Sequence, residues 1–250
     1  MPKYNYKMKI VYDGTRYKGW QRLKATDNTI QGKIEDILSK NFDEEIKIVG
    51  SGRTDSGVHA RGQIANFWTQ KRINVSEIKR YLNRYLPEDI SCVNVEEVEE
   101  RFHSRYNAKK KRYRYTIQND ECINPFIRKY SWHIEEKLDL DIMKRASKLL
   151  EGKIDFSSFT NLKSKKKSKI RTIYKINILR NDSKIIIDFE GDGFLQHMVR
   201  ILVGTLVELG KNNMTCEELE LILRSKKRNE RCPLAPAKGL CLEEVCYEDN

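Results

Sequence analysis

The sequence predicts an α+β protein built as two halves, and three observations carry that reading. Strand-like and helix-like segments alternate through the first hundred residues. The same alternation returns after about residue 110, without a sequence repeat clear enough to prove duplication. No low-complexity linker separates the two stretches, so the halves, 1–104 and 105–250, are expected to share an interface. A chain of 250 residues is long enough for two modest domains, each with a buried core.

In the first half, "YKMKIVYD" has strand composition. Asn28 with Gln31 reads as a capping box, and the helix behind it puts Ile30, Ile34, Ile37 and Leu38 on one face. "EIKIV" reads as a short strand entering the turn-rich "SGRTDSGVHARGQ", and "QIANFW" as a strand leaving it. Ser76 is the expected cap of a helix with Ile78, Tyr81, Leu82, Tyr85 and Leu86 on one side, stopped by Pro87. "ISCVNVEEV" is the next strand. In the second half, "KRYRYTIQ" is a strand, and Asp139 opens a helix that ends before Gly152. "RTIYKINILR" and "KIIIDFE" pair around the turn sequence "NDS". A long apolar helix is expected from about Gly193 to Leu209, and Thr215 with Glu218 caps another. "GLCLEEVCY" closes the chain as a strand.

Charge narrows the function classes. Lys and Arg number 48 against 36 Asp and Glu, a formal net charge of +12, which points to a polyanionic partner, with RNA or DNA ahead of a membrane surface. No apolar run has the length of a membrane-spanning helix, and the charged N-terminus lacks the apolar core of a signal peptide. The six cysteines form no C-x-x-C pair and the four histidines lie far apart, so metal chemistry gains no support and reduced thiols in the cytoplasm are expected. "RYNAKKKRYRY" interleaves Lys109, Lys110, Lys111, Arg112 and Arg114 with tyrosines, a composition suited to phosphates and unstacked bases. Packing of those tyrosines inward along a strand accounts for part of the same pattern. The 163–169 lysine run and "RSKKRNER" add further positive charge.

"GTRYKGWQ" has P-loop glycine spacing but Trp20 and Gln21 where Lys and Ser/Thr are required, which excludes a P-loop. The turn around Asp55 admits three readings: a structural Asx turn, an anion nest, or an ionised nucleophile near Arg53. "GFLQHMVRILVGTLVELG" is apolar nearly all round with Arg200 in its middle, and a buried guanidinium needs an acidic partner, for which Asp55 is a candidate.

These segments together resemble the bacterial TruA family of tRNA pseudouridine synthases. The resemblance runs in order through "YDGTRYKGWQ", "GRTDSGVHARGQ", "FHSRYNAKKKRYRY", "DFSSFT", "FLQHMVRILVG" and "APAKGLCLEEV", and spans nearly the whole chain. It implies the pseudouridine synthase fold: two similar ferredoxin- or RRM-like α+β halves joined into a mixed, mostly antiparallel sheet with a central active-site cleft. It implies Asp55 as nucleophile, Tyr113 stacked on the target uracil with a possible role as base, and Arg200 paired with Asp55. Arg53 would help hold a flipped nucleotide. The resemblance further implies a homodimer acting on tRNA at anticodon-arm uridines 38, 39 and 40, with no metal and no organic cofactor. The residues leave attack at ribose C1′ or at uracil C6 open, and they leave open a paralogue acting on ribosomal RNA or a non-catalytic RNA binder.

Overall fold

The computed structural model describes residues 4–161 and 168–248, and divides the chain into two compact units. The first is Met1–Lys109 with Cys241–Asn250; the second is Lys110–Leu240.

Unit 1 follows the order β1 (Tyr4–Tyr12), α1 (Ile30–Phe42), β2 (Val49–Gly50), β3 (His59–Thr69), α2 (Val75–Tyr85) and β4 (Ile90–Val98). This is the β-α-β-β-α-β order of ferredoxin-like folds. β1 lies between β4 and β3 and is antiparallel to both, and β2 adds to β3. Alternation buries Tyr6, Met8, Ile10 and Tyr12 on one face of β1. Ile30, Ile34 and Leu38 of α1 and Ile78 and Leu82 of α2 add to the core.

Some boundaries differ from expectation. Thr29, not Asn28, caps α1, its hydroxyl accepting from the Gly32 N–H. Asn74, not Ser76, caps α2. Residues 45–48 form no strand, because their amides go elsewhere: the Ile46 N–H donates to Ser39 Oγ and the Ile48 N–H to the buried Glu35 carboxylate.

The last strand, β10 (Leu240–Cys246), runs parallel to β3, with Cys241 opposite His59 and Leu242 opposite Ala60. Chain order alone assigns these residues to the half 105–250. Most of the strand returns to unit 1 instead, because Gly62 leaves room for it: a Cβ there would lie 2.2 Å from the Glu243 carbonyl oxygen.

Unit 2 contains β5 (Lys110–Asn119), β6 (Trp132–Ile134), α3 (Leu140–Lys148), β7 (Gly152–Asp155), β8 (Ile170–Asn181), β9 (Lys184–Gly191), α4 (Met198–Gly210) and α5 (Cys216–Ser225). β9 lies between β5 and β8 in an antiparallel sheet, with β7 beyond β8 and β6 parallel to β5. The β8–β9 hairpin turns at Asp182, which has φ 52°. Asp139 caps α3, and Thr215 with Glu218 forms the expected capping box on α5. β6 and β7, of three and four residues, are too short to show alternation in the sequence. Most of the 163–169 lysine run, residues 163–167, lies outside the described residues.

Candidate active site

Asp55 sits in unit 1 on the connection between β2 and β3, half-buried, with Arg53 exposed beside it. Its carbonyl accepts from the Val58 N–H at 3.2 Å, closing a turn in which Gly57 takes φ 78°, a conformation that favours glycine. The flanks are fastened one by one. The Ser51 N–H donates to the Ile64 carbonyl at 2.7 Å, and Ser51 Oγ donates to Gln63 Oε1 at 2.7 Å. Gln63 Nε2 donates to the Gly52 carbonyl at 2.9 Å. Thr54 Oγ1 and the Tyr12 hydroxyl share a buried hydrogen bond of 2.8 Å. Burial holds the Tyr12 phenol well above its ordinary range, so it stays protonated.

A second loop, residues 13–20, clasps this one. The Trp20 N–H donates to the Thr54 carbonyl, and the Tyr17 carbonyl accepts from both Ser56 Oγ and the Gly57 N–H. The approach is backbone to backbone. A Cβ at Gly14 would lie 2.0 Å from the Val58 carbonyl oxygen, and one at Gly19, where φ is 98°, 2.7 Å from the Thr54 carbonyl oxygen. The glycines that mimic a P-loop therefore serve close packing against the Asp55 loop. Asp89 anchors the clasping loop: it accepts from the Tyr17 hydroxyl and from Arg16 Nε, and its carbonyl accepts from the Asp13 N–H. Burial, then this bond to the carboxylate, raises the Tyr17 phenol. Tyr12, Tyr17 and Asp89 were not singled out as site residues; "YDGTRYKGW", with two glycines bracketing an aromatic, was the available signal. All of these bonds act through the loop's backbone and through the neighbours of Asp55, and together they set the turn that carries it.

Tyr113 lies in unit 2 on β5 opposite Phe189, 7% exposed, with its ring edge-on to Phe194 at 5.3 Å. Tyr115 follows on the same strand face, fully buried, and donates to the Pro236 carbonyl at 2.8 Å. Burial raises the Tyr115 phenol strongly, and the positive charge of Arg200 opposes that rise.

Arg200 and Glu208 are the only residues of α4 that are not buried. Arg200 is gripped by the segment 233–236: its Nε donates to the Ala235 carbonyl at 2.8 Å, and its carbonyl accepts from the Ala235 N–H at 3.1 Å. Gly204 makes this docking possible, since a Cβ there would lie 2.1 Å from the Pro233 carbonyl oxygen. The helix begins at Met198 rather than Gly193, because His197 takes the left-handed conformation with φ 64°. Phe194 thus lies outside the helix, against Tyr113.

The basic stretch divides. Lys111 shares the Tyr113 face of β5, while Lys110, Arg112 and Arg114 alternate onto the other. Arg114 holds Asp188 with two bonds of 2.8 Å, and Lys110 lies 3.5 Å from Glu190. Lys109 is exposed, at the end of unit 1. Among the described residues, no group of His, Cys, Asp and Glu could hold a metal ion.

Comparison with known proteins places the chain. The family described as "tRNA pseudouridine synthase" matches residues 9–107 and 146–248, more than half of the chain. The chain belongs to this family. Among its relatives, the "tRNA pseudouridine synthase A" of Bacillus sp. (strain KSM-64) is 54% identical over 243 residues, 97% of this chain and 99% of the relative. A "tRNA pseudouridine synthase A 2" of Bacillus cereus is 51% identical over 96% of this chain and 98% of its own. The "tRNA pseudouridine synthase A 1" of Clostridium tetani is 48% identical over 97% and 99%. A chain of the "Crystal Structure of a Cbf5-Nop10-Gar1 Complex" overlaps 81% of this one and 45% of its own length at TM-score 0.37 and 13% identity. This pseudouridine synthase is an isomerase, and both the Asp55 loop and Arg200 fall inside the stretches matched to the family.

Proposed function

We propose that this chain converts uridine to pseudouridine in tRNA, in the anticodon stem-loop at positions 38, 39 and 40. The observation that carries the substrate is the near-complete match, in both directions, to relatives named for tRNA. The net charge of +12 agrees with an RNA substrate.

The reaction breaks the N1–C1′ bond, turns the base, and makes a C5–C1′ bond. N1 gains a proton and C5 loses one, so no oxidant, reductant or second substrate is needed. Asp55 is the proposed nucleophile, attacking ribose C1′ or uracil C6 and leaving unchanged at the end. Its loop suits the role, because backbone bonds fix the position from which the carboxylate would act. Arg200 is the proposed cation that keeps the carboxylate ionised, and Tyr113 the ring that stacks on the uracil. Arg53 is proposed to hold the nucleotide once it has left its stack. The proposed working form is a cytoplasmic homodimer without metal or organic cofactor.

The test is tritium release from tRNA transcripts carrying 5-tritiated uridine, followed by mapping of the modified positions. Release with label lost at 38–40 is expected. Release only from ribosomal RNA fragments would replace the substrate, and no release from any RNA would leave a non-catalytic binder.

A further inference from the structure

Unit 1 carries aromatic and basic side chains on the segment 99–107, which lies outside the Asp55 loop in the sequence. This segment is fastened to the sheet by buried amides. Asn5 Nδ2 donates to the carbonyls of Glu99 and Phe102 at 3.0 and 2.8 Å. Asn66 Nδ2 donates to Asn5 Oδ1 at 3.0 Å, and the Ser104 N–H donates to Asn66 Oδ1 at 2.9 Å. Asn5, Asn66 and Ser104 are all buried.

The tip is fixed as firmly. His103 Nδ1 accepts from the N–H groups of Arg105 and Tyr106, both at 3.2 Å, and Asn107 Oδ1 accepts from the His103 N–H at 2.6 Å. An imidazole that accepts at Nδ1 carries its proton on Nε2, so ring orientation and tautomer are set together. The Tyr106 ring stacks on His103, centroids 4.2 Å apart and planes 26° from parallel, and Trp68 lies 6.2 Å from His103. Tyr106 is nonetheless 78% exposed. Arg101 and Arg105 are exposed on the same short segment.

Core packing does not explain this arrangement, since the ring faces water. The stack on His103 orders the exposed ring in advance, so a ligand landing on its free face is spared that entropy cost. A fixed π face on a segment that also carries two exposed arginines matches a nucleobase and its adjoining phosphates. We propose that Tyr106, backed by His103, is a stacking platform for an unpaired base of the RNA substrate, with Arg101 and Arg105 on the neighbouring phosphates. The proposal rests on the reading of the chain as an RNA-modifying enzyme.

The experiment compares wild type, Tyr106→Ala and Tyr106→Phe by fluorescence anisotropy with two probes, an unmodified tRNA transcript and a fluorescein-labelled single-stranded oligouridylate. Tyr106→Ala is expected to weaken binding of both on the order of tenfold, while Tyr106→Phe, which keeps the ring, stays near wild type. Melting temperatures should match for all three. KM for tRNA should rise in the alanine variant while kcat at saturating tRNA holds. Equal affinity of Tyr106→Ala and wild type for both probes would overturn the platform. So would loss of a dimer in the alanine variant on gel filtration, which would make the surface a contact between copies. If wild type binds oligouridylate but not tRNA, the tRNA reading fails instead, and the oligouridylate series still decides the platform.

Discussion

In unit 1 the proposed nucleophile stands on eight residues without regular structure, whereas in unit 2 Tyr113 stands on a ten-residue strand and Arg200 on a thirteen-residue helix. A strand pairs its backbone with its neighbours, a helix pairs its own, and both aim their side chains by period. A loop has neither resource. The Asp55 loop borrows its hydrogen bonds from β1, β3 and residues 13–20, and it meets residues 13–20 because Gly14 and Gly19 let two backbones touch. Unit 2 uses the same device at Gly204, to bring the segment 233–236 onto Arg200. The difference teaches that an exact position on a loop depends on what is absent, a few Cβ atoms, as much as on any contact made.

The comparison can be broken most severely at Gly14. Gly14→Ala would put a Cβ 2.0 Å from a backbone oxygen that has no side-chain freedom to yield. A loss of about 3 kcal/mol in urea unfolding, or failure to fold, is expected. Unchanged stability would mean that the clasp is loose. Gly204→Ala tests the same device in unit 2. Pro233 must retreat, the two Ala235 bonds to Arg200 are disturbed, and turnover should fall together with about 2 kcal/mol of stability. A stability loss with full turnover would show that the grip on Arg200 is structural only.

Smaller effects sharpen the account. Tyr12→Phe removes one buried hydrogen bond to Thr54 and should cost about 1 kcal/mol. Because burial keeps that phenol protonated, the loss should be the same at pH 6 and pH 9, and a difference between them would contradict the assignment. Arg114→Gln breaks a partly exposed ion pair with Asp188, worth about 0–1 kcal/mol. Its guanidinium is already engaged, so tRNA affinity should change less than twofold by anisotropy. A larger drop would return Arg114 to the RNA-contact set.

How much of this was legible follows from the same contrast. The strands β1, β4, β5, β8 and β9 and the helices α2, α3 and α5 show in the sequence because alternation, the 3.6-residue period and capping residues are local signals. Asp55, Tyr113 and Arg200 remain proposed site residues, and they rest on ordered motifs more than on local physics. The start of α4 was misplaced because the apolar run continues through Phe194 and Leu195 while the break depends on one φ angle at His197. The roles of Tyr12, Tyr17 and Asp89 were hidden because their partners lie 39 to 72 residues away in the chain. The division of "KKKRYRY" between two faces follows from strand period, but the capture of Arg114 by Asp188 needed the register of β9.

Centrally, Asp55 is proposed as the reagent on a loop held through its backbone and its neighbours. The most direct measurement is single-turnover tritium release from 5-tritiated tRNA by wild type and Asp55→Ala, with tRNA affinity and melting temperature taken on the same samples. A fall in release of at least about a thousandfold is expected, with affinity and melting temperature near wild type. Release that persists in Asp55→Ala, or lost release that tracks a collapse of folding, would contradict it.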